Sequence, residues 1–259
     1  MRILKIPFNG GALGKKDGQE LGPNKVVEFL KNFHISETEK LPVFAEEEIL
    51  VDNMNLEDTF SLIESQVSKI DTVTTIIGGD HSITHPCFKA FSKRFSNPGI
   101  IVFDAHPDVQ DDFTVTHENY LRRLVSDGFL KKENIILIGI RNWSKEEVMY
   151  LKQNRIKYYS MKEITFDDIK EICDSIMSVA REWDGLYLSI DIDVLDPAFA
   201  PGTGHTEPGG MSSRELIYFM QRLKLLKNLK MIDLVEVNPK KDIDDLTSKI
   251  AAKLIIELC

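Results

Sequence analysis

The sequence predicts an α/β protein, a single three-layer α/β/α sandwich over residues 1–259 with a mostly parallel sheet. Short apolar runs rich in β-branched residues alternate with segments of helical periodicity, which is typical of parallel strands covered by helices on both faces. Three of these runs end in clusters of aspartate and histidine. Ligands in such folds bind at the carboxyl ends of the strands, so these clusters mark the edge of the sheet where we expect the function.

The individual elements follow from the same patterns. Strands are predicted for the apolar runs at residues 2–6, 73–77, 99–103, 134–140, 157–159, 185–190 and 231–235. Helices are predicted at residues 22–33, 56–70, 84–95, 120–127, 167–181 and 242–258. Pro23 lies in the first turn of the first helix, where its missing N–H is harmless. Ser144 and Ser212 each begin a Ser-x-x-Glu capping box, which predicts a further helix at each position.

Composition excludes several classes of protein. The net charge of −9 argues against nucleic-acid binding. No apolar run approaches the ~18 residues of a membrane span, so we expect no membrane partner. The cysteines at 87, 173 and 259 are odd in number and widely spaced, which argues against a disulfide framework and favours a cytoplasmic protein.

The three polar clusters have the composition of a metal site. They are GGDHS at residues 78–82, DAHPD at residues 104–108 and the pair Asp191 and Asp193. Because an isolated ionised carboxylate is very costly to bury, four aspartates and two histidines at strand ends require positive charge. Two divalent metal ions would balance the four carboxylates.

The spacing within the clusters supports this interpretation. Asp104, His106 and Asp108 occupy alternate positions, as do Asp191 and Asp193. Alternate side chains of an extended chain point to one face, so we expect each segment to deliver its ligands to one place. Carboxylate and imidazole ligands without cysteine favour manganese-type sites, and two ions about 3.5–4 Å apart are the usual hydrolytic arrangement.

Other residues near these clusters have structural explanations. Asp80 can cap the following helix, and we expect that role because His81 is the better ligand. His106 alone would fit a core histidine, but two flanking aspartates make it a candidate ligand. His34 and His85 lack such a setting, and we expect them to be solvated or to lie on a helix face.

The motifs GGDHS, DAHPD and SIDIDVLDPAFAPGTGHTEPGG, in this order and spacing, closely resemble the ureohydrolase family. That family includes arginase, agmatinase, guanidinobutyrase, proclavaminate amidinohydrolase and formiminoglutamase. The resemblance extends from the loop at residues 18–23 to the segment at residues 235–239. It implies an arginase-like fold and metal-assisted hydrolysis of a guanidino group, in which the metals generate the hydroxide nucleophile.

The resemblance also implies two Mn(II) ions with six shared ligands. The ligands of one ion would be His81, Asp104, Asp108 and Asp191. The ligands of the other would be Asp104, His106, Asp191 and Asp193, with Asp104 and Asp191 bridging the two.

Three further roles follow from the resemblance. Glu236 would pair with the substrate guanidinium, and Asp108 would pass a proton to the departing amine. His117 would shuttle protons or contact substrate, although Glu118 stands where the family has glycine. His205 replaces the usual threonine beside the guanidinium pocket, so it would either border the substrate or turn away from the pocket.

Two departures from arginase concern the substrate. Gln110 replaces an asparagine and Ser144 replaces an aspartate, and in arginase those residues contact the α-carboxylate and α-amino groups. Agmatine lacks the carboxylate, so the sequence favours cleavage of this small cationic guanidino substrate to putrescine and urea. Arginine, formiminoglutamate and 4-guanidinobutyrate are the alternatives.

Two non-hydrolase interpretations would fit a protein with this predicted fold. A metal-binding relative without turnover would lack a ligand or Glu236, and a deacetylase of similar fold would use a single metal. The complete ligand set speaks against both. The resemblance also implies a homotrimer or a homohexamer.

Overall fold

The computed structural model describes residues 1–14, 17–33, 35–40 and 42–259. The strands in this part of the chain are β1 (Arg2–Ile6), β2 (Ala45–Glu48), β3 (Thr74–Gly78), β4 (Pro98–Phe103), β5 (Ile135–Ile140), β6 (Lys157–Ser160), β7 (Gly185–Asp191) and β8 (Leu229–Val235). The α-helices are α1 (Gly22–Leu30), α2 (Leu56–Val67), α3 (Thr84–Ser92), α4 (Tyr120–Ser126), α5 (Lys145–Asn154), α6 (Met161–Phe166), α7 (Ile169–Ala180), α8 (Ser213–Leu223) and α9 (Leu246–Glu257).

The strands form one eight-stranded sheet in the order β2-β1-β3-β8-β7-β4-β5-β6. Each neighbouring pair in this sheet is parallel, as predicted. One apolar cluster packs α1, α7, α8 and α9 against one face of the sheet. A second cluster packs α2, α3, α4 and α5 against the other face. The predicted three-layer α/β/α architecture is therefore confirmed.

Burial explains which strands the sequence reveals. β3, β4, β5 and β7 are buried along their whole length, and the apolar runs that predicted them are those of strands covered on both faces. β2 is instead exposed at every position and contains three glutamates, so no apolar pattern marked it. Its glutamates pair with Arg2, Lys5 and Lys31, and such charges protect an open sheet edge from further pairing.

The capping boxes define the helix starts. Ser144 and Ser212 cap α5 and α8 as predicted, each with a reciprocal bond from the glutamate three residues later. Ser160 caps α6 in the same way, although that helix was not predicted.

The closing helix begins at Leu246 rather than at the predicted residue 242. The side chain of Asp242 accepts hydrogen bonds from the backbone N–H groups of Thr247 and Ser248, both at 2.9 Å. Asp244 and Asp245 have positive φ angles of 50° and 58°, so the chain turns there instead of continuing as a helix. No helix in the described part of the chain is both long and apolar enough to cross a lipid bilayer.

Two histidines were given structural explanations, and of these only His85 can be assessed. His34 lies outside the described residues. His85 lies on α3, which is one of the two alternatives expected for it, and at 7% exposure it is not solvated. Its ring stacks on Phe60, with 6.0 Å between ring centroids. Burial lowers the pKa of His85 to about 4, even though Asp127 lies 3.7 Å from Nε2.

This shift predicts a loss of stability in mild acid. Between pH 6.5 and about pH 4 the unfolded chain protonates His85 while the folded protein does not, so the free energy of unfolding falls as the pH falls. We expect the free energy of unfolding, measured in urea, to fall between pH 7.5 and pH 5 by about 2 kcal/mol more in the wild type than in His85→Gln. Equal losses of stability in the two proteins would contradict the lowered pKa of His85.

Candidate metal centre

Four strands that are adjacent in the sheet carry the polar clusters at their carboxyl ends. β3 leads to His81, β4 to Asp104, β7 ends in Asp191, and β8 leads to Glu236. β8 lies between β3 and β7, so β3 pairs with neither β7 nor β4. This order inserts the Glu236 carboxylate between the clusters at residues 78–82 and 191–193.

Asp80 caps the short 3-10 helix that starts at His81, as expected. Its carboxylate accepts hydrogen bonds from the backbone N–H groups of Ser82 and Gly11, both at 2.9 Å. Burial, together with the nearby Glu236 carboxylate, raises the pKa of Asp80 to about 6. By capping the helix that begins at His81, Asp80 fixes the backbone position of His81 beside the other clusters.

The remaining ligand candidates converge through turns, so the extended geometry predicted for them is wrong. β4 ends at Phe103, and the chain bends through Asp104 to reach Asp108, whose φ is 53°. The Asp104 carboxylate accepts from the His106 N–H at 2.6 Å and stabilises this bend. Side-chain to backbone bonds of this kind favour turns over strands.

The second pair behaves in the same way. β7 ends at Asp191, and Asp193 lies in a 3-10 helix at Ile192–Val194. The Asp191 carboxylate accepts from the Asp193 N–H at 2.8 Å, and the Asp193 carboxylate accepts from the Ala105 N–H at 3.0 Å. The last bond ties the two ligand segments together.

The first group of side chains surrounds one nitrogen atom. His81 Nδ1 lies 3.1 Å from Asp104 Oδ2, 3.2 Å from Asp108 Oδ2 and 3.2 Å from Asp191 Oδ2. His81, Asp104 and Asp191 have the spacing of a metal site. Three acidic oxygens and an imidazole nitrogen thus face one point.

The second group shares Asp104 with the first. His106 Nδ1 lies 3.0 Å from Asp193 Oδ2 and 3.4 Å from Asp104 Oδ1. These three residues also have metal-site spacing. The structure therefore brings all six predicted ligands together in two groups joined by one carboxylate.

Hydrogen bonds behind His81 fix which of its nitrogens faces the centre. Asp233 accepts hydrogen bonds from the hydroxyls of Ser189, Tyr187 and Thr84 at 2.6, 2.6 and 2.7 Å. Because the Ser189 hydroxyl donates its proton to Asp233, its oxygen can only accept, and it accepts from the Nε2–H of His81 at 2.9 Å. With the Nε2 proton directed at Ser189, Nδ1 is the ring nitrogen that would bind a cation.

Unsatisfied atoms at the centre support the same conclusion. Among the described residues, His81 Nδ1 and Asp104 Oδ2 are fully buried and have no hydrogen-bond partner. Such atoms are costly in a folded protein unless a cation or water satisfies them. The donor set of these two groups therefore fits divalent cations.

The charges of the cluster require those cations. Burial and the Asp104 carboxylate raise the pKa of Asp108 to about 7. Burial and the neighbouring aspartates also raise the pKa values of Asp191 and Asp193. Four carboxylates this close cannot all ionise without positive charge between them, and two divalent ions supply it.

Glu236 lies directly above the cluster. It follows β8 with a φ of 66° and is 4% exposed. Its Oε1 accepts from the His81 N–H at 2.9 Å, and its Oε2 accepts from Gln19 Nε2 at 3.3 Å. Burial raises the pKa of Glu236, but His117 and His81 together lower it below its usual value, so the carboxylate stays ionised.

His117 is held between Glu236 and the loop after β1. Its Nδ1 lies 3.5 Å from Glu236 Oε1. The Leu13 N–H donates to His117 Nε2 at 3.1 Å, and the His117 N–H donates to the Gly11 carbonyl at 3.2 Å. Burial opposes protonation of His117, but the Glu236 carboxylate raises its pKa to about 9.

A cavity of about 350 Å³ opens above the cluster. Of the predicted site residues, it exposes His81, His106, Asp108, His117, Asp191, Asp193, His205 and Glu236. Asp104 lies beneath these side chains and is 1% exposed. The cavity is also lined by Gln110, Glu118, Asn142, Trp143, Ser144 and Glu147.

His205 faces this cavity rather than turning away from it. Its ring centroid lies 5.6 Å from that of His106 and 5.7 Å from that of His117. The His205 ring is edge-on to His106 and stacked on His117. It therefore forms part of the wall close to both histidines.

Several residues that support the site were not predicted from the sequence. Gln19 supports Glu236, and Ser189 and Asp233 support His81. One signal was available, because Ser189 precedes Asp191 by two residues in a strand and such residues share a face. Gln19 gave no comparable signal, since its contact bridges 217 residues of sequence.

Comparisons with known proteins agree with this geometry. A model described as "Arginase family" matches residues 1–259. "Arginase 1, mitochondrial" of Oryza sativa subsp. indica is 36% identical over 188 residues, which covers 71% of this chain and 53% of that protein. The chain thus spans about half the length of that curated relative.

Solved structures share the whole fold. The arginase of Bacillus subtilis superposes with a TM-score of 0.88 at 27% identity, covering 99% of this chain and 97% of that chain. Formimidoylglutamase of Bacillus subtilis subsp. subtilis str. 168 gives a TM-score of 0.93 at 24% identity, covering 99% and 85% respectively. The predicted fold class is confirmed by both superpositions.

The hydrogen bonds behind His81 lead to a testable expectation. Ser189→Ala removes the acceptor for His81 Nε2–H and frees the ring to change its proton position. We expect metal affinity to fall about 10-fold to 100-fold in titration calorimetry with Mn(II). Ser126→Ala, on the exposed side of α4, serves as the control, and equal affinities for both variants would contradict the assigned proton position.

Proposed function

This chain belongs to the arginase family, and we propose that it is a dinuclear manganese hydrolase that cleaves agmatine to putrescine and urea. The observation that carries this proposal is the pair of buried metal-site groups directly beneath the ionised Glu236 carboxylate. The six side chains His81, Asp104, His106, Asp108, Asp191 and Asp193 would hold the ions. When bound, two divalent ions supply a hydroxide nucleophile at neutral pH.

Glu236 would bind and orient the guanidinium. A planar guanidinium pairs with a carboxylate through two parallel hydrogen bonds. The His81 N–H and Gln19 Nε2 hold the Glu236 carboxylate on two sides, so it need not rearrange when the substrate arrives. This placement directs the central carbon of the guanidinium toward the cluster.

The proton balance assigns roles to Asp108 and His117. Addition of water to the guanidinium carbon and cleavage of its bond to the amine nitrogen give urea, and the departing amine must gain a proton. Asp108 lines the cavity beside the cluster and would transfer that proton. His117, beside Glu236, would exchange protons between this region and solvent.

The outer cavity supports a substrate without a carboxylate. None of the described residues that line it is lysine or arginine. The Arg141 guanidinium is instead bound to the backbone carbonyls of Asp193 and Glu207, each at 2.7 Å. A carboxylate at the far end of arginine, 4-guanidinobutyrate or formiminoglutamate would therefore meet no lysine or arginine among the described residues of this wall.

The positions of the sequence departures agree with this view. Gln110 and Ser144 both line the cavity, and both are neutral. Arginine is the second candidate substrate, because the curated relative described above is named an arginase. His205, on the same wall, would border the substrate near Glu236 and His117.

Assembly is implied by the family resemblance, and location by the number and spacing of the cysteines. We expect a homotrimer or homohexamer in the cytoplasm, and both stay predictions.

The substrate proposal is tested by direct comparison. We expect the manganese-loaded protein to release urea from agmatine at least about 10-fold faster, in kcat/KM, than from arginine or 4-guanidinobutyrate. Free guanidine, together with formamide release from formiminoglutamate, completes the series. Faster turnover of arginine would show that arginine, rather than agmatine, is the substrate. No turnover of any substrate would overturn the hydrolase proposal.

The role of Glu236 is tested separately. Glu236→Gln keeps the shape and one acceptor for the His81 N–H but removes the charge that pairs with the guanidinium. We expect kcat/KM to fall at least about 100-fold while manganese affinity changes little. Glu182→Gln, on an exposed loop, is the matched control, and retained activity in the Glu236 variant would reject its role.

A further inference from the structure

We propose that Glu118 binds the ammonium group at the far end of the substrate and thereby selects guanidines with a cationic tail. This inference rests on the proposed function, because it names the residue that would recognise the end of agmatine opposite the reacting carbon. It concerns the position at which this chain replaces the family's glycine.

Glu118 is placed firmly while its side chain stays accessible. Its backbone N–H donates to Thr116 Oγ1 at 3.3 Å, and its carbonyl accepts from the Gln110 N–H at 3.1 Å. The side chain is 42% exposed and lines the cavity. A fixed backbone therefore presents a partly exposed carboxylate to the cavity.

The distance from Glu118 to Glu236 suits a substrate with charge at both ends. Glu118 Oε1 lies 3.7 Å from His117 Nε2, and Glu236 Oε1 lies 3.5 Å from Nδ1 of the same ring. The two carboxylates are therefore separated by one imidazole ring and at most about 9 Å.

Agmatine is long enough to reach across this separation. An extended chain advances about 1.2 Å per bond, so the five bonds between its chain guanidinium nitrogen and its ammonium nitrogen span about 6 Å. With hydrogen bonds of about 3 Å at each end the extended molecule would reach about 12 Å, so a bent chain contacts both carboxylates. One substrate can bind Glu236 with its guanidinium and Glu118 with its ammonium group.

The second acid on the outer wall has another role. Glu147 is 5% exposed, and its carboxylate accepts from the backbone N–H groups of Ser144 at 2.8 Å and Val109 at 3.4 Å. In the described part of the chain, no residue donates a hydrogen bond to the Glu118 carboxylate. Among the described residues, the nearest charged partner of the Glu118 carboxylate is His117, 3.7 Å from Oε1, so Glu118 is the outer acid that we expect to accept from an ammonium group.

The test uses two substrates that differ only in the distal charge. Pentylguanidine has a methyl group where agmatine has its ammonium group. With the manganese-loaded protein, we expect Glu118→Gln to raise KM for agmatine about 10-fold or more and to leave pentylguanidine within about 2-fold. Glu146→Gln, an exposed acid outside the cavity, should change neither substrate.

The outcomes separate this inference from the proposed function. An unchanged KM for agmatine in Glu118→Gln would overturn the inference. An equal loss on both substrates, or a shifted pH profile with pentylguanidine, would show that Glu118 acts through His117 and would also overturn it. Wild-type protein that prefers another substrate to agmatine would instead refute the proposed function.

Discussion

The mutual repulsion of four buried carboxylates constrains everything at the carboxyl edge of this sheet. Their segments lie far apart in the sequence, and only the completed strand order brings them together. Folding therefore creates a concentration of acidic groups in which bound cations would replace protons. The turns that carry the ligands are stabilised by the same carboxylates, through their hydrogen bonds to backbone N–H groups. Metal binding and folding of this edge of the sheet are therefore coupled.

The parts of the structure that could be predicted are those with a local signal. Buried parallel strands appear as apolar runs, and aspartates directly after them were recognisable as ligands. β2 escaped because an exposed edge strand made of glutamates has no apolar pattern. The bends at Asp104 and Asp193 escaped for another reason, since alternate spacing alone cannot distinguish an extended segment from a turn closed by its own side chain. Contacts such as Gln19 with Glu236 exist only once the sheet is complete.

The cavity has two ends with different constraints. Its floor consists of the metal-site groups and Glu236, whose positions depend on four adjacent strands and cannot change independently. Its outer wall is built from loops, including those that carry Gln110, Glu118 and Ser144. Loops tolerate substitution without disturbing the layers beneath them. Such a division explains how arginase and formimidoylglutamase can share this fold.

The hydrogen bond from the His81 N–H to Glu236 joins the two halves of the floor. The donor is the backbone N–H of His81, so a shift of this backbone moves both the imidazole and the carboxylate proposed to bind the guanidinium. If both sites fill as proposed, occupancy of the cation sites and occupancy of the guanidinium site are thermodynamically linked. Such linkage is reciprocal: whatever factor the ions contribute to guanidinium affinity, the guanidinium returns to the affinity for the ions. A non-hydrolysable guanidine would then change how tightly this protein retains its metals during dialysis.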